Sequence, residues 1–541
     1  MAGVARRHSP PLGTLHDAVV LLDGTAHQPR EILGNKGHGI DTMRRHRLPV
    51  PPAFCITTEV GLRYLAEPGP TIDAIWDDVL DRMRWLEEQT SRTFGRGPHP
   101  LLISVRSGAT QSMPGMMDTI LDLGMNDAVE QALAAQGNVE FARDTRRRFT
   151  SMYRRIVSGS DAQPPQDPNA QLRAGIEAVF ASWNSPRAIA YRQHYGLDER
   201  CGTAVVVQAM VFGNRSANSG AGVLSSRNPI TGADVPFGEW LPGGQGDDVV
   251  SGLVDVEPIS ALRDELPDVY GELMAAARRL ERLHTDVQEI EFTVEDGALW
   301  LLQTRGAERS AQAAVRLALR LRNEGLIDDD ETLRRVSPAH VTAVLQPALQ
   351  PETRLAARLL AKGLPACPGV ATGTAYTDVD EALDAADRGE QVILVRDHTR
   401  PEDVQGMLRS QGIVTEVGGA ASHAAVVSRE LGRVAVVGCG HGVAAALAGR
   451  QITVDGSEGE VREGILELKA WSEDDTPELR ALTEIALQIS PLRAHPTGNH
   501  PRVDGSSEAA VRAALAAGRS DVVSQTPLIT MLNAIRLQGQ K

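Results

Sequence analysis

Apolar and polar positions recur along this chain at two periods, and each change of period marks an element. VVLLDG (19–24), LLISVRSG (101–108) and TAVVVQAMVFG (203–213) are β-rich runs. EIEFTVEDGALWLLQTR (289–305) reads as two strands joined at EDG, a hairpin turn signal. Apolar residues return every three or four positions over 265–285 and in SAQAAVRLALRLRNEG (310–325), which predicts two helices. QPPQDP (163–168) is a loop, and the proline-punctuated VSPAHVTAVLQPALQPE (336–352) reads as a connector.

From Gly363 the pattern alternates regularly. Strands GVATGTAY, QVILVR and GIVTEV are separated by helices DEALDAADRG and PEDVQGMLRS. Helix SHAAVVSRELG and short strands VAVVG and QITVDG follow. This predicts a compact α/β domain of about 100 residues. Beyond about residue 470 the chain is polar and contains prolines, with one good helix, SSEAAVRAALAAG. No internal repeat or low-complexity tract is present.

A length of 541 residues implies several domains. The hydrophobic fraction of 42% with 23% charged residues is that of an ordinary soluble protein, and no run of 18 apolar residues predicts a membrane span. No secretory apolar region follows the N-terminal arginines. Cys55, Cys201, Cys367 and Cys439 are widely spaced, which fits a reducing cytoplasm better than a disulfide framework or a cysteine-built zinc site. The net charge of −15 argues against nucleic-acid binding. Lys36, Lys362, Lys469 and Lys541 are the only lysines among 55 basic residues, so a lysine retained among glycines merits notice.

That lysine lies in GNKGHG (34–39), where glycines would let backbone approach a phosphate and Lys36 would supply counter-charge. The string is not a Walker A loop, and taken alone it reads as a plain turn. In SVRSGATQSMPGMMDTILDLG (104–124), Arg106 stands at the end of an apolar strand beside Ser107 and Gly108. It could hold a phosphate bidentately or make a surface salt bridge. On the hairpin, strand alternation puts Glu289 and Glu291 on one face and Gln303 and Arg305 together on the returning strand. Such oxygen ligands suit Mg²⁺ bridging ATP phosphates, although a solvated polar face would look the same. In TEVGGAASHAAVVSRELG (415–432) two glycines and small residues precede a helix that begins at Ser422-His423. A histidine there meets free N–H groups and the positive dipole end, which suits a phosphoryl carrier and keeps the imidazole neutral. A lone histidine in that position is more often structural.

Taken together these strings resemble the pyruvate, phosphate dikinase family. With AMVFGNRSANSGAGVLSSRNPITG and FGEWLPGGQGDDVVSG they follow the family's order across most of residues 20–465, and the SMPGMMDT loop separates them from phosphoenolpyruvate synthases and rifampin phosphotransferases. The resemblance implies an α/β multidomain protein with an ATP-grasp nucleotide-binding domain over 1–335 and a linker over 336–362. A swivelling phosphohistidine domain would span 363–469, leaving 470–541 as a tail, a remnant of the family's barrel. It implies that Lys36 and Arg106 contact ATP phosphates, that Glu291 and Gln303 bind Mg²⁺ with Glu289 and Arg305 beside them, and that His423 is phosphorylated. ATP would pass a pyrophosphoryl group to the histidine, inorganic phosphate would remove its terminal phosphoryl as pyrophosphate, and pyruvate would accept the remainder.

Glu289 stands where the family has aspartate. Val417, Ala420 and Ala421 replace arginine, methionine and threonine, and without that threonine the regulatory phosphorylation of plant enzymes should be absent. A (β/α)₈ barrel of about 250 residues does not fit into 470–541. The expectation is therefore an ATP half-reaction whose phosphoryl group goes to pyruvate on a separate barrel protein. The alternatives are phosphorylation of a different small molecule or partner protein, or a degenerate nucleotide-binding regulator.

Overall fold

The computed structural model describes residues 17–539 except 112, 114, 137, 160, 161, 252, 253, 347, 420, 470–472, 474 and 475. Ser112 and Pro114 of the SMPGMMDT loop and Ala420 thus lie outside the described residues. The chain is a mixed α/β, multidomain protein that divides into two compact units, up to Val211 and from Phe212 onward. No helix among the described residues is long and apolar enough to cross a membrane.

The first unit is built on an antiparallel sheet of five strands. Their order is Val19–Leu21, Ala53–Ile56, Thr203–Ala209, Ile103–Ala109 and Thr119–Leu123. Every residue of Thr203–Ala209 is buried, which is why it reads as an unbroken apolar run and not an alternating one. GNKGHG is not a plain turn. It lies in helix Arg30–Arg45, which breaks at Gly34 (φ 67°, ψ 173°) and resumes, so Lys36 sits in the turn following the break. A Cβ on Gly34 would stand 1.7 Å from the carbonyl oxygen of Gly108, a contact only glycine permits.

Arg106 also differs from expectation, lying mid-strand in Ile103–Ala109. Ser107, Gly108 and Ala109 continue the strand because their backbone pairs with Val205, Ala204 and Thr203, and small side chains do not prevent that. The Gly34–Gly108 contact therefore lays the Lys36 segment directly against the Arg106 strand.

The second unit starts with another antiparallel sheet, in the order Glu257–Pro258, Phe237–Pro242, Gly220–Ser225, Gln288–Glu295 and Ala298–Gly306. The expected hairpin turns at Asp296 and Gly297, both with positive φ. Strand Gly220–Ser225 gave little apolar signal because its glycines make room for aromatic rings. A Cβ on Gly222 would lie 2.5 Å from the Phe292 ring, which stacks on Trp240 with centroids 6.0 Å apart.

The expected α/β domain is an eight-stranded sheet whose four parallel strands are Val370–Tyr376, Val392–Arg396, Gly412–Thr415 and Val434–Val437. Helices Val379–Asp387, Val404–Arg409 and His423–Leu431 bury Ala382, Ala385, Met407, Ala424 and Val427 on one face. The chain passes into and out of this sheet through a two-stranded antiparallel ribbon, Ala348–Leu349 with Leu468–Lys469.

The described residues beyond 470 hold three helices, Pro477–Ile489, Glu508–Ala516 and Pro527–Gly539, where the sequence pattern showed one. Leu479, Leu482 and Ile485 have helical spacing within polar flanks, and their burial becomes evident only against a partner. That partner includes the segment read as a connector. Helix Pro338–Val344 buries Val341 in the same core, together with Val315 and Ala318 of Ala311–Asn323. The eight-stranded domain is thus inserted into a helical layer.

Gly34→Ala is expected to destabilise the protein by about 2–4 kcal/mol through backbone strain and the Gly108 contact. Gly69→Ala, in an exposed helical turn with open space around it, should be neutral or raise stability by about 0.5 kcal/mol. Calorimetric unfolding of the two variants checks the difference, and equal behaviour would contradict the close approach.

Candidate functional site

In the hairpin, register places Glu289 opposite Arg305 and Glu291 opposite Gln303. Continued through Glu291–Val223 and Val223–Glu239 pairs, the row reaches Glu239 on Phe237–Pro242. Strand alternation sends Ile290 and Phe292 to the apolar face and the carboxylates to the other. This second face is polar yet covered, with Glu239, Glu289 and Gln303 all buried.

Arg305 donates from Nε to Glu289 Oε1 at 2.7 Å. Burial works against the guanidinium charge, but Glu289 and Glu291 outweigh it and raise the Arg305 pKa. Glu289 is therefore committed to Arg305. Glu291 and Gln303 offer a carboxylate and an amide oxygen from opposed positions on paired strands, a donor set that fits a hard cation such as Mg²⁺.

His423 is the first residue of helix His423–Leu431, capped by Ser422, whose hydroxyl accepts from the Ala425 N–H. It approaches Thr399 because both follow carboxyl ends of adjacent parallel strands, Gly412–Thr415 and Val392–Arg396, where α/β sheets concentrate their sites. Thr399 Oγ1 lies 3.1 Å from His423 Nδ1, and His423 Nε2 is buried with no hydrogen-bond partner. With Nδ1–H donating to Thr399, Nε2 would keep its lone pair. Burial pushes the imidazole pKa down to about 4, while Asp403 and Glu402 pull the other way. At neutral pH His423 is uncharged.

The polar sheet face and the histidine loop meet. Glu239 Oε2 accepts the Ala421 N–H at 3.1 Å. A Cβ on Gly419 would stand 1.9 Å from Glu239 Oε1, so a side chain there would displace the carboxylate. Ala421 is buried with Ala221, Val223 and Val249. Arg429, six residues along the helix, is buried among the same charges. Burial lowers its pKa, Glu289 and Glu239 act to raise it, and Arg305 acts with burial. Lys36 and Arg106, both half-buried, belong to the first unit.

Two family descriptions match this chain. "Pyruvate phosphate dikinase, AMP/ATP-binding domain" covers residues 73–270, and "PEP-utilising enzyme, mobile domain" covers 389–459, which includes His423 and Thr399. Over 501 residues the chain is 39% identical to pyruvate, phosphate dikinase of Clostridium symbiosum, covering 82% of this chain and 57% of that protein. The chain is similar to the pyruvate, phosphate dikinases over most of its length. The Rhizobium meliloti (strain 1021) enzyme is 38% identical, over 82% of this chain and 57% of its own length. Pyruvate, phosphate dikinase 2 of Zea mays is 39% identical over 76% and 51%. The chain thus spans little more than half the length of these dikinases.

Three residues at the site were not singled out by motif reading. Glu239 stood inside a quoted family string without a role, and Thr399 and Arg429 carried no spacing signal. The link from Thr399 to His423 spans 24 positions and exists only through the parallel pairing of two strands.

His423 has a folded-state pKa below its unfolded value, so the unfolded chain takes up more protons as pH falls. Its contribution to stability is fully present above about pH 6.5 and is lost on acidification toward about 4. NMR of imidazole-labelled protein should show His423 neutral down to about pH 5. His423→Gln should reduce the acid sensitivity of unfolding between pH 6.5 and 4. A midpoint near 6.5 would show an imidazole open to solvent.

Proposed function

We propose that this chain catalyses the nucleotide half of a dikinase reaction with His423 as the nucleophile. The observation that carries the reading is the His423 imidazole itself: neutral, held at Nδ1 by Thr399, with Nε2 buried, without a partner, at a helix N-terminus. Nε2 attacks the β-phosphorus of ATP, the bond from that phosphorus to the oxygen bridging the α-phosphate breaks, and AMP leaves. Inorganic phosphate then attacks the terminal phosphorus of the pyrophosphohistidine, releasing pyrophosphate and leaving one phosphoryl group on the histidine.

Transfer of this kind depends on positioning and charge stabilisation. Lys36 and Arg106 take the phosphate-binding roles, the lysine as a compact point charge and the arginine as a planar fork. Glu291 and Gln303 hold Mg²⁺, which when bound offsets charge on the ATP phosphates. Arg305, fixed by Glu289, adds a positive charge to the same face. The contact between Glu239 and the histidine loop corresponds to a nucleotide-side station of a swivelling domain within an ATP-grasp enzyme. The ribbon Ala348–Leu349/Leu468–Lys469, the crossing point into and out of that domain, is the pivot. Pyruvate, named in the relatives' names, is the acceptor at the other station.

Protein incubated with Mg²⁺, phosphate-free buffer and β-³²P-ATP should acquire acid-labile, base-stable label, and His423→Ala should acquire none. Lys36→Ala and Arg106→Ala should each slow labelling by about 100-fold or more. Lys36→Arg should remain poor, because a guanidinium does not reproduce the ammonium. Chelation of Mg²⁺ should stop labelling. Label transferred only from the γ-position would exclude pyrophosphoryl transfer, and label persisting in His423→Ala would exclude the nucleophile.

A further inference from the structure

A second group of chemically capable side chains lies away from His423, in the segment around the parallel strand pair Arg493–His495 and Asp521–Val523. One potential ligand atom from each of His495, His500 and Asp521 lies within 4.8 Å of the others. Donors around a tetrahedral zinc ion stand about 3.4 Å apart, so side-chain adjustments of about 1 Å would close this set on an ion.

The three residues are carried on one hydrogen-bonded frame. The Ser524 N–H donates to the His495 carbonyl at 3.0 Å, and the Val523 N–H donates to the carbonyl of Pro501, next to His500, at 2.9 Å. The Val503 N–H donates to the Val523 carbonyl at 2.9 Å, closing the loop between the two histidines onto the strand that Asp521 begins. Gly498, with φ 142°, turns that loop, and a Cβ there would stand 3.5 Å from His500 Cδ2. The imidazoles stack with centroids 5.5 Å apart and planes 28° from parallel.

The carboxylate is oriented as well. Arg493 Nη2 and Ser520 Oγ each donate to Asp521 Oδ2 at 2.8 Å, and Oδ1 faces His495 Nε2 at 3.1 Å. The Arg493 charge opposes a bound cation, but its side chain is half exposed and water screens it. Two imidazoles and one carboxylate select a first-row transition ion over Mg²⁺ or Ca²⁺, whose sites are built from oxygen.

We propose that His495, His500 and Asp521 form a binding site for a divalent transition ion of the zinc class, with water completing its coordination. The site is separate from the Glu291–Gln303 pair and differs from it in ligand chemistry. The test is calorimetric titration of Zn²⁺ into the chelator-stripped 541-residue chain, with Co²⁺ absorption as a second probe of coordination. One ion per chain is expected. His500→Ala, at an exposed loop position, should weaken binding at least 10-fold while leaving circular dichroism and ATP-dependent histidine labelling unchanged, and His495→Asn should do the same. Undiminished Zn²⁺ binding in both variants, or no saturable binding by the native chain, would overturn the assignment.

Discussion

The second unit depends on how one buried carboxylate is satisfied. Glu239 lies on a sheet face that would be unfavourable to cover with an apolar surface, because a charge removed from water needs a partner. Backbone supplies one partner. The Ala421 N–H donates to it, and Gly419 lets the loop approach closely enough for that bond to form. The requirement fixes the loop, the loop fixes the start of helix His423–Leu431, and the helix start positions the imidazole. The same helix brings Arg429 among the carboxylates at its far end. Glu289 and Arg305 answer each other across the hairpin, and removing either would leave the other's charge buried, at a cost of about 3–5 kcal/mol. The polar face is therefore a matched set of charges whose cover is the histidine-bearing domain.

What could be read in the sequence follows from how local each signal was. The α/β alternation after Gly363 is a run of short apolar strands and amphipathic helices, each announcing itself within ten residues, and the structure contains each of them. The hairpin was legible for the same reason, and its alternation placed Glu289, Glu291, Gln303 and Arg305 on one face because strand geometry is fixed at period two. Signals failed where the cause was distant. Gly34 bends its helix because of a carbonyl 74 positions away, which no window around GNKGHG contains. Helices Pro477–Ile489 and Pro527–Gly539 bury their apolar stripes against Val315 and Val341, so the tail seemed polar while its partner was unknown. In strand Gly220–Ser225 the signal was weakened at Gly220 and Gly222, where the rings of Trp240 and Phe292 fill the space a side chain would take.

The chemistry of His423 rests on a contest between burial and charge, and the geometry shows why burial prevails. Two carboxylates, Asp403 and Glu402, lie near enough to favour the protonated imidazole. Asp403, however, already accepts the Arg400 N–H at 2.8 Å through Oδ2 and pairs through Oδ1 with Arg396 at 3.5 Å. A carboxylate engaged by a backbone donor and a guanidinium has less potential left for a third group. Thr399, immediately before this cap, meets Nδ1 with a hydroxyl, which can accept an N–H without bringing a charge. A carboxylate in its place would favour imidazolium, whose Nε2 lone pair is consumed by the added proton. The turn that caps the helix after Val392–Arg396 thus does two things at once: it neutralises its own acid, and it presents an uncharged acceptor to the histidine.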